Sequence, residues 1–118
     1  MSVERHQELR NRTKAFALRI IRMIRVLPDN REANVIGKQI LRSATGMAAN
    51  YRAAGLARSK AEFISRIGVV LEEADETVFW LELLCESGLL PEAKLQPLLA
   101  EGNQLVAIFL ASRRTAKA

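Results

Sequence analysis

Residues 59–91 read SKAEFISRIGVVLEEADETVFWLELLCESGLLP and contain the start, the apolar stripe and the end of one long predicted helix. Ser59 followed by Glu62 is a capping box, in which the serine accepts a backbone N–H and the glutamate bonds back. Gly88 suits the left-handed position after a helix, and Pro91 suits the first position of the next one. At 100° per residue one face of this segment is apolar: Phe63, Ile67, Val70, Ala74, Leu81 and Leu84. The segment therefore predicts an amphipathic helix over residues 60–87.

The rest of the chain has the same organisation. Pro28-Asp29-Asn30 predicts another break, because proline disfavours a helical residue before it and Asp and Asn favour turns. We predict helices at 5–27, 31–57, 60–87 and 91–113, with an irregular start of helix four near Pro97 and a frayed tail from Ser112. The other three segments have apolar stripes of their own: Leu9, Phe16, Ile20, Met23 and Leu27; Ile36, Ile40, Met47, Tyr51 and Ala54; Leu95, Leu98, Leu99, Val106 and Phe109.

Long helices with short connections pack as antiparallel neighbours. We therefore predict an all-α protein, with residues 1–118 forming a single up-down-up-down antiparallel four-helix bundle. A length of 118 residues is enough to bury a core without disulfides or metals.

Composition narrows the class of protein. The chain is 49% hydrophobic and 26% charged, which is ordinary for a folded soluble protein and argues against disorder. The N-terminal residues lack the apolar segment of a secretion signal, and no apolar run approaches the roughly 20 residues that span a bilayer. The single cysteine, Cys85, cannot form an internal disulfide. We therefore expect a cytoplasmic protein.

Charge is divided unevenly along the chain. Residues 1–58 hold 12 of the 18 Lys and Arg residues and 4 of the 13 acids, a net charge of +8, whereas residues 59–118 carry −3. The basic residues concentrate on the outward face of helix two and on one flank of helix one: Arg31, Lys38, Arg42 and Arg52; Arg12, Arg19 and Arg22. Such a surface would attract phosphate backbones, although a solvated face that only maintains solubility has the same composition. Because aromatic residues do not interleave these cations, base stacking has little support.

Helix three carries more apolar surface than a bundle core requires. Phe79 and Trp80 lie away from its main stripe, as do Val69 and Leu83. Clustered exposed aromatic residues mark subunit interfaces, whereas a wide core face with a few exposed residues is the alternative. We predict an oligomer interface made of Val69, Glu76, Phe79, Trp80 and Leu83.

Catalytic or metal chemistry has little support. Four acids cluster over residues 72–76, but bundle di-metal sites also need histidines, and the chain has only His6. Cys85 has no predictable base, and Gly-rich phosphate loops are absent. Ser43 and Asn50 lie on the core side of helix two, where we expect a structural role: buried polar groups are hydrogen-bonded, and Asn50 would bond a neighbouring backbone. We therefore predict a protein that is not an enzyme and uses no cofactor or metal; the acids instead pair with a basic helix or subunit.

Three groups of residues resemble the signature of a known family: Gln39-Ile40-Leu41-Arg42-Ser43-Ala44, Ala49-Asn50 and Arg58-Ser59-x-x-Glu62-Phe63. They are similar to the four-helix-bundle 23S rRNA intervening-sequence proteins, and the resemblance covers most of the chain. Glu76 resembles the helix-three glutamate of that family, and Gly88-Leu89-Leu90 resembles the turn before its helix four. Arg52-Ala53-Ala54 stands where the family has Ala-Glu-Gly.

The resemblance implies a ring-like homo-oligomer, a homopentamer, whose basic surfaces contact nucleic acid. The family also includes the accessory variability protein of diversity-generating retroelements, which partners a reverse transcriptase and RNA. Two hypotheses follow. The first is a homo-oligomer that binds structured RNA, DNA or an RNA–protein complex through helices one and two. The second is a protein–protein scaffold whose charged faces serve only assembly and partner docking.

Overall fold

The computed structural model describes residues 2–118, which form four α-helices and no β-strand. The helices are α1 (Val3–Ile24), α2 (Arg31–Ala54), α3 (Lys60–Glu86) and α4 (Glu92–Lys117). Helix α2 packs on α1 and most extensively on α3, α3 packs on α4, and α1 meets α4 along a narrower contact. The molecule measures 45 × 21 × 21 Å, which is the shape of four long helices packed side by side. The predicted all-α four-helix architecture is confirmed, and its ring-like assembly stays a prediction.

Side-chain caps fix where three of the helices begin. Ser2 Oγ accepts from Arg5 N, Asn30 Oδ1 from Ala33 N, and Ser59 Oγ from Glu62 N at 3.0 Å. Each bond satisfies a backbone donor that the first turn leaves unpaired. In the predicted capping box Glu62 bonds back to Arg58 N, one residue earlier than the usual pattern.

The helix ends differ from the predicted ones. Helix α1 ends at Ile24 instead of 27, because residues 25–27 tighten into a turn in which Val26 N bonds Met23 O and Leu27 N bonds Ile24 O. Helix α2 ends at Ala54 instead of 57 through a similar tightening. Helix α4 continues through Pro97 to Lys117, beyond the predicted end and through the tail expected to fray. Gly88 adopts the predicted left-handed conformation, with φ of 76°.

The predicted apolar stripes meet in one core. Leu9, Phe16, Ile40, Tyr51 and Phe109 are among its fully buried members. Four stripe residues are only partly buried and pack at its margin: Leu27, Ile36, Phe63 and Val106. Periodicity did not single out Leu105, nor the buried polar residues Thr13 and Thr77.

Two polar residues of α2 were predicted to be structural. Ser43 is fully buried and hydrogen-bonded, because Thr77 Oγ1 donates to its Oγ at 2.7 Å and ties α3 to α2. Asn50 differs from the prediction: its Nδ2 donates to Gly46 O, 2.8 Å away in the same helix, and not to a neighbouring backbone. The reason is geometric, since a carbonyl four residues back lies within reach of an Asn side chain on the same helix face.

Candidate nucleic-acid interface

Arg12 turns away from the predicted basic surface and joins α1 to α4. Its Nε contacts Glu101 Oε2 at 2.7 Å, and its Nη2 contacts Glu101 Oε1 at 2.8 Å and Gln104 Oε1 at 2.7 Å. This two-pronged bond holds the pKa of Glu101 below its ordinary value and raises that of Arg12. Arg19 acts on the same carboxylate, lowering the pKa of Glu101 further through its charge. Both arginines of α1 therefore interact with Glu101 of α4, on the side of the bundle where these two helices meet.

Arg42 is paired with acids of α3 that belong to the acidic block, the four acids at residues 72–76. Its guanidinium bonds Glu76 Oε1 and lies 3.5 Å from Glu73 Oε1, while its Nε donates to Gln39 Oε1 at 3.1 Å. Trp80 Nε1 donates to the same oxygen of Glu76 at 3.2 Å. The expected pairing of the acidic block with a basic helix thus occurs within one chain, and it engages Glu76, which was assigned to the oligomer interface.

The other predicted cations are not held by acids. Arg22, Arg31, Lys38 and Arg52 are exposed, and within residues 2–118 none of them has a carboxylate oxygen within 4 Å. They do not form one site, because Arg31 and Arg52 lie at opposite ends of α2, about 30 Å apart at 1.5 Å per residue.

A groove between α1 and α2 gathers cations that the sequence did not single out as a site. Arg10 and Lys14 border it on α1 and Arg52 on α2, and the recess holds about 400 Å³. Two amide side chains of α1 and two small residues of α2 complete its lining: Gln7, Asn11, Ala48 and Ala49. We call this recess the α1–α2 groove. The i, i+4 spacing of Arg10 and Lys14, set against the alanine run of α2, was the signal that could have located it.

A recess that shares Arg10 and Arg52 with the α1–α2 groove is bordered by His6, whose ring stacks on that of Tyr51. His6 Nδ1 lies 3.0 Å from Tyr51 Oη, and the two rings stack with centroids 4.8 Å apart. Burial, and then the charge of Arg10, lowers the pKa of His6, while burial raises the pKa of Tyr51 to about 12. Both rings are therefore neutral at pH 7, and the positive charge here belongs to the neighbouring arginines.

The surplus apolar residues of α3 form an exposed patch. Phe79 is half exposed and packs edge-to-face on Trp80, with ring centroids 5.1 Å apart. Val69 and Leu83 are each 38% exposed, whereas Trp80 is only partly so. On the neighbouring helix α2, Val35 is 55% exposed. We call Val69, Phe79, Trp80 and Leu83 the α3 patch.

Within residues 2–118, no three His, Cys, Asp or Glu side chains are grouped so as to hold a metal ion. None of the four described helices is long and apolar enough to cross a membrane.

The chain is an up-and-down four-helix bundle with a basic groove on one side and an apolar patch on another. It belongs to the 23S rRNA-intervening sequence protein family, which matches residues 5–111 and confirms the suspected resemblance. It is similar to a crystal structure of a protein of unknown function from the S23 ribosomal protein family of Bacteroides thetaiotaomicron, with a TM-score of 0.82. The two sequences are 31% identical, over 88% of this chain and 96% of that one. Comparison with curated proteins gives no significant match.

Proposed function

We propose that this protein is a non-enzymatic, cytoplasmic homo-oligomer that binds RNA or an RNA–protein complex through the exposed cations of α1 and α2. One observation carries the proposal. Arg42 and Arg12, on the flanks toward α3 and α4, are paired with acids. Within residues 2–118, the following cations of α1 and α2 have no carboxylate oxygen within 4 Å: Arg10, Lys14, Arg22, Lys38 and Arg52. Cations left unpaired and clustered are the electrostatic footprint of a phosphate-binding surface.

The oligomeric part of the proposal rests on the α3 patch. The contact of this apolar surface, which includes the half-exposed Phe79, with water is unfavourable in free energy. A second subunit packed on the α3 patch would remove the surface from solvent. The family resemblance favours a pentamer. It also favours a reverse transcriptase or another nucleic-acid enzyme as a protein partner.

An RNA-binding titration tests the proposal. We expect a fluorescein-labelled RNA hairpin to bind the wild-type protein with an affinity that falls steeply as salt is raised from 50 to 200 mM. Reversing to Glu five cations of α1 and α2 that have no ion pair within residues 2–118 should abolish this binding: Arg10, Lys14, Arg22, Lys38 and Arg52. Wild-type protein that binds no RNA, or reversed protein that binds as tightly as wild type, would contradict the proposal. The first result would favour the protein–protein scaffold.

A further inference from the structure

We propose that the α1–α2 groove is the site that holds RNA, and that it grips backbone phosphates without reading the bases. This inference rests on the proposed function and assigns it to one place. The cations predicted from the sequence are dispersed over two helices, whereas the groove brings together Arg10, Lys14 and Arg52. Of these three, only Arg52 belongs to the predicted set.

The three cations converge from two helices. Arg10 and Lys14 are one turn apart on α1, about 6 Å along the helix axis, and Arg52 faces them across the recess. A second recess of about 300 Å³ shares Arg10 and Arg52 and adds His6, Gly55 and Leu56. The groove thus continues from Lys14 to the end of the bundle, so an extended strand can lie along it and meet more than one cation.

The charge in the groove is uncompensated. In the part of the chain that the structure describes, Arg10, Lys14 and Arg52 have no carboxylate within 4 Å, and no Asp or Glu lines either recess. Glu8, two residues before Arg10 in the sequence, is paired with Arg5 at 2.8 Å. Three neighbouring like charges repel one another, and an anion bound between them relieves that repulsion.

The lining fits a backbone better than a base. Ala48 and Ala49 leave room for close approach, and Gln7 Nε2 donates to Asn11 Oδ1 at 2.9 Å, which leaves the Asn11 amide nitrogen to donate to a phosphate oxygen. Among the described residues, His6 is the one ring that borders the recesses, and its stacking on Tyr51 occupies a face of that ring. Cations and an amide donor without a free aromatic platform recognise phosphates and not base identity.

Charge removal in the α1–α2 groove is the test. We expect the variant R10A/K14A/R52A to bind the labelled RNA hairpin about tenfold more weakly at 0.1 M salt. Its affinity should also depend less on salt, because the negative slope of log K against log salt should shrink in magnitude by about 2. The matched control K94A/R114A/K117A removes three exposed cations of α4 and should change both quantities far less. Ala49→Leu fills the groove at constant charge and should weaken binding several-fold. A second hairpin with permuted base pairs should bind wild type equally.

The outcomes separate the groove from the proposed function. If wild type binds RNA and R10A/K14A/R52A binds equally well, or weakens no more than the α4 control, the groove assignment is overturned and the proposed function stands. Strong preference between the two hairpins would overturn the claim of backbone recognition. Absence of wild-type binding would overturn both. Because all four altered groove residues lie on the surface or at its edge, circular dichroism should show wild-type folding.

Discussion

Arg12 and Glu101 hold α1 against α4, the two packed helices that share the narrowest contact in the bundle. The pair is mostly shielded from solvent, with side chains 27% and 18% exposed, and both carboxylate oxygens are used. Fixed two-pronged geometry is the condition under which an ion pair stabilises a fold measurably. A residue predicted to bind nucleic acid thus acts within the bundle.

We expect Glu101→Gln to lower the free energy of unfolding by about 1 kcal/mol at pH 7. Because the folded-state pKa of Glu101 is lowered from 4.5, the wild-type contribution is present above pH 4.5 and is lost as pH falls through the lowered value. The deficit of the variant should therefore shrink in acid. Urea unfolding at pH 7 and at pH 3 measures it.

Glu8→Gln is the matched control for Glu101→Gln, since the Arg5–Glu8 pair is exposed and lies within one helix. We expect it to change the unfolding free energy by less than about 0.5 kcal/mol at either pH. A Glu101→Gln deficit that is equally large in acid would show that the cause is lost packing and not charge.

At the scale of the element, two glycines differ in backbone conformation while both have open space around them. Beyond the adjoining residues of its own backbone, a Cβ on Gly68, inside α3, or on Gly88, after it, would meet no atom within 4 Å. Of these two glycines, only Gly88 has a positive φ, of 76°. Gly68→Ala should therefore raise the free energy of unfolding by about 0.5 to 1 kcal/mol through helix propensity. Gly88→Ala should lower it by about 1 kcal/mol through left-handed strain. Thermal unfolding of both variants measures the pair, and stabilisation by Gly88→Ala would contradict the reasoning.

Helix starts were easier to predict than helix ends, and the reason is local. An N-cap such as Ser59 acts through its own side chain three residues away, so the sequence alone identifies it. The end of α1 depends on how residues 25–27 tighten before Pro28, and the length of α4 depends on packing beside α3. A single helical pattern contains neither the local i→i−3 turn that ends α1 nor the packing of α4 on α3.

For the candidate site, too, some features follow from the local sequence and others depend on how the helices pack. Periodicity placed the cations on helix faces, but which of them meet an acid depends on the neighbouring helix. Arg12 lies close enough to α4 to pair with an acid, and Arg42 lies close enough to α3. Arg10 and Lys14 instead lie beside the alanine run of α2, which carries no acid. Only the packed bundle distinguishes paired from unpaired charge.

At the scale of the whole molecule, the groove and the α3 patch occupy different sides. The α1–α2 groove lies on the flank of α2 that faces α1, whereas Arg42 and its acid partners lie on the flank toward α3 and its patch. An oligomer formed through the α3 patch is therefore expected to leave the groove open. Each subunit would then present one groove, and several grooves on one RNA would raise the apparent affinity by multivalency.

We expect F79S/L83S to dissociate the oligomer while each subunit stays folded, because both side chains are substantially exposed in the isolated bundle and add little to its core. Sedimentation velocity at micromolar concentration should show wild type as an oligomer and this variant as a monomer. V3S/V26S removes exposed apolar side chains elsewhere and should sediment as wild type. The monomeric variant keeps an intact groove, so its RNA binding should weaken yet retain salt dependence. A wild-type protein that sediments as a monomer, or F79S/L83S that stays oligomeric, would show that the α3 patch is not the contact between subunits.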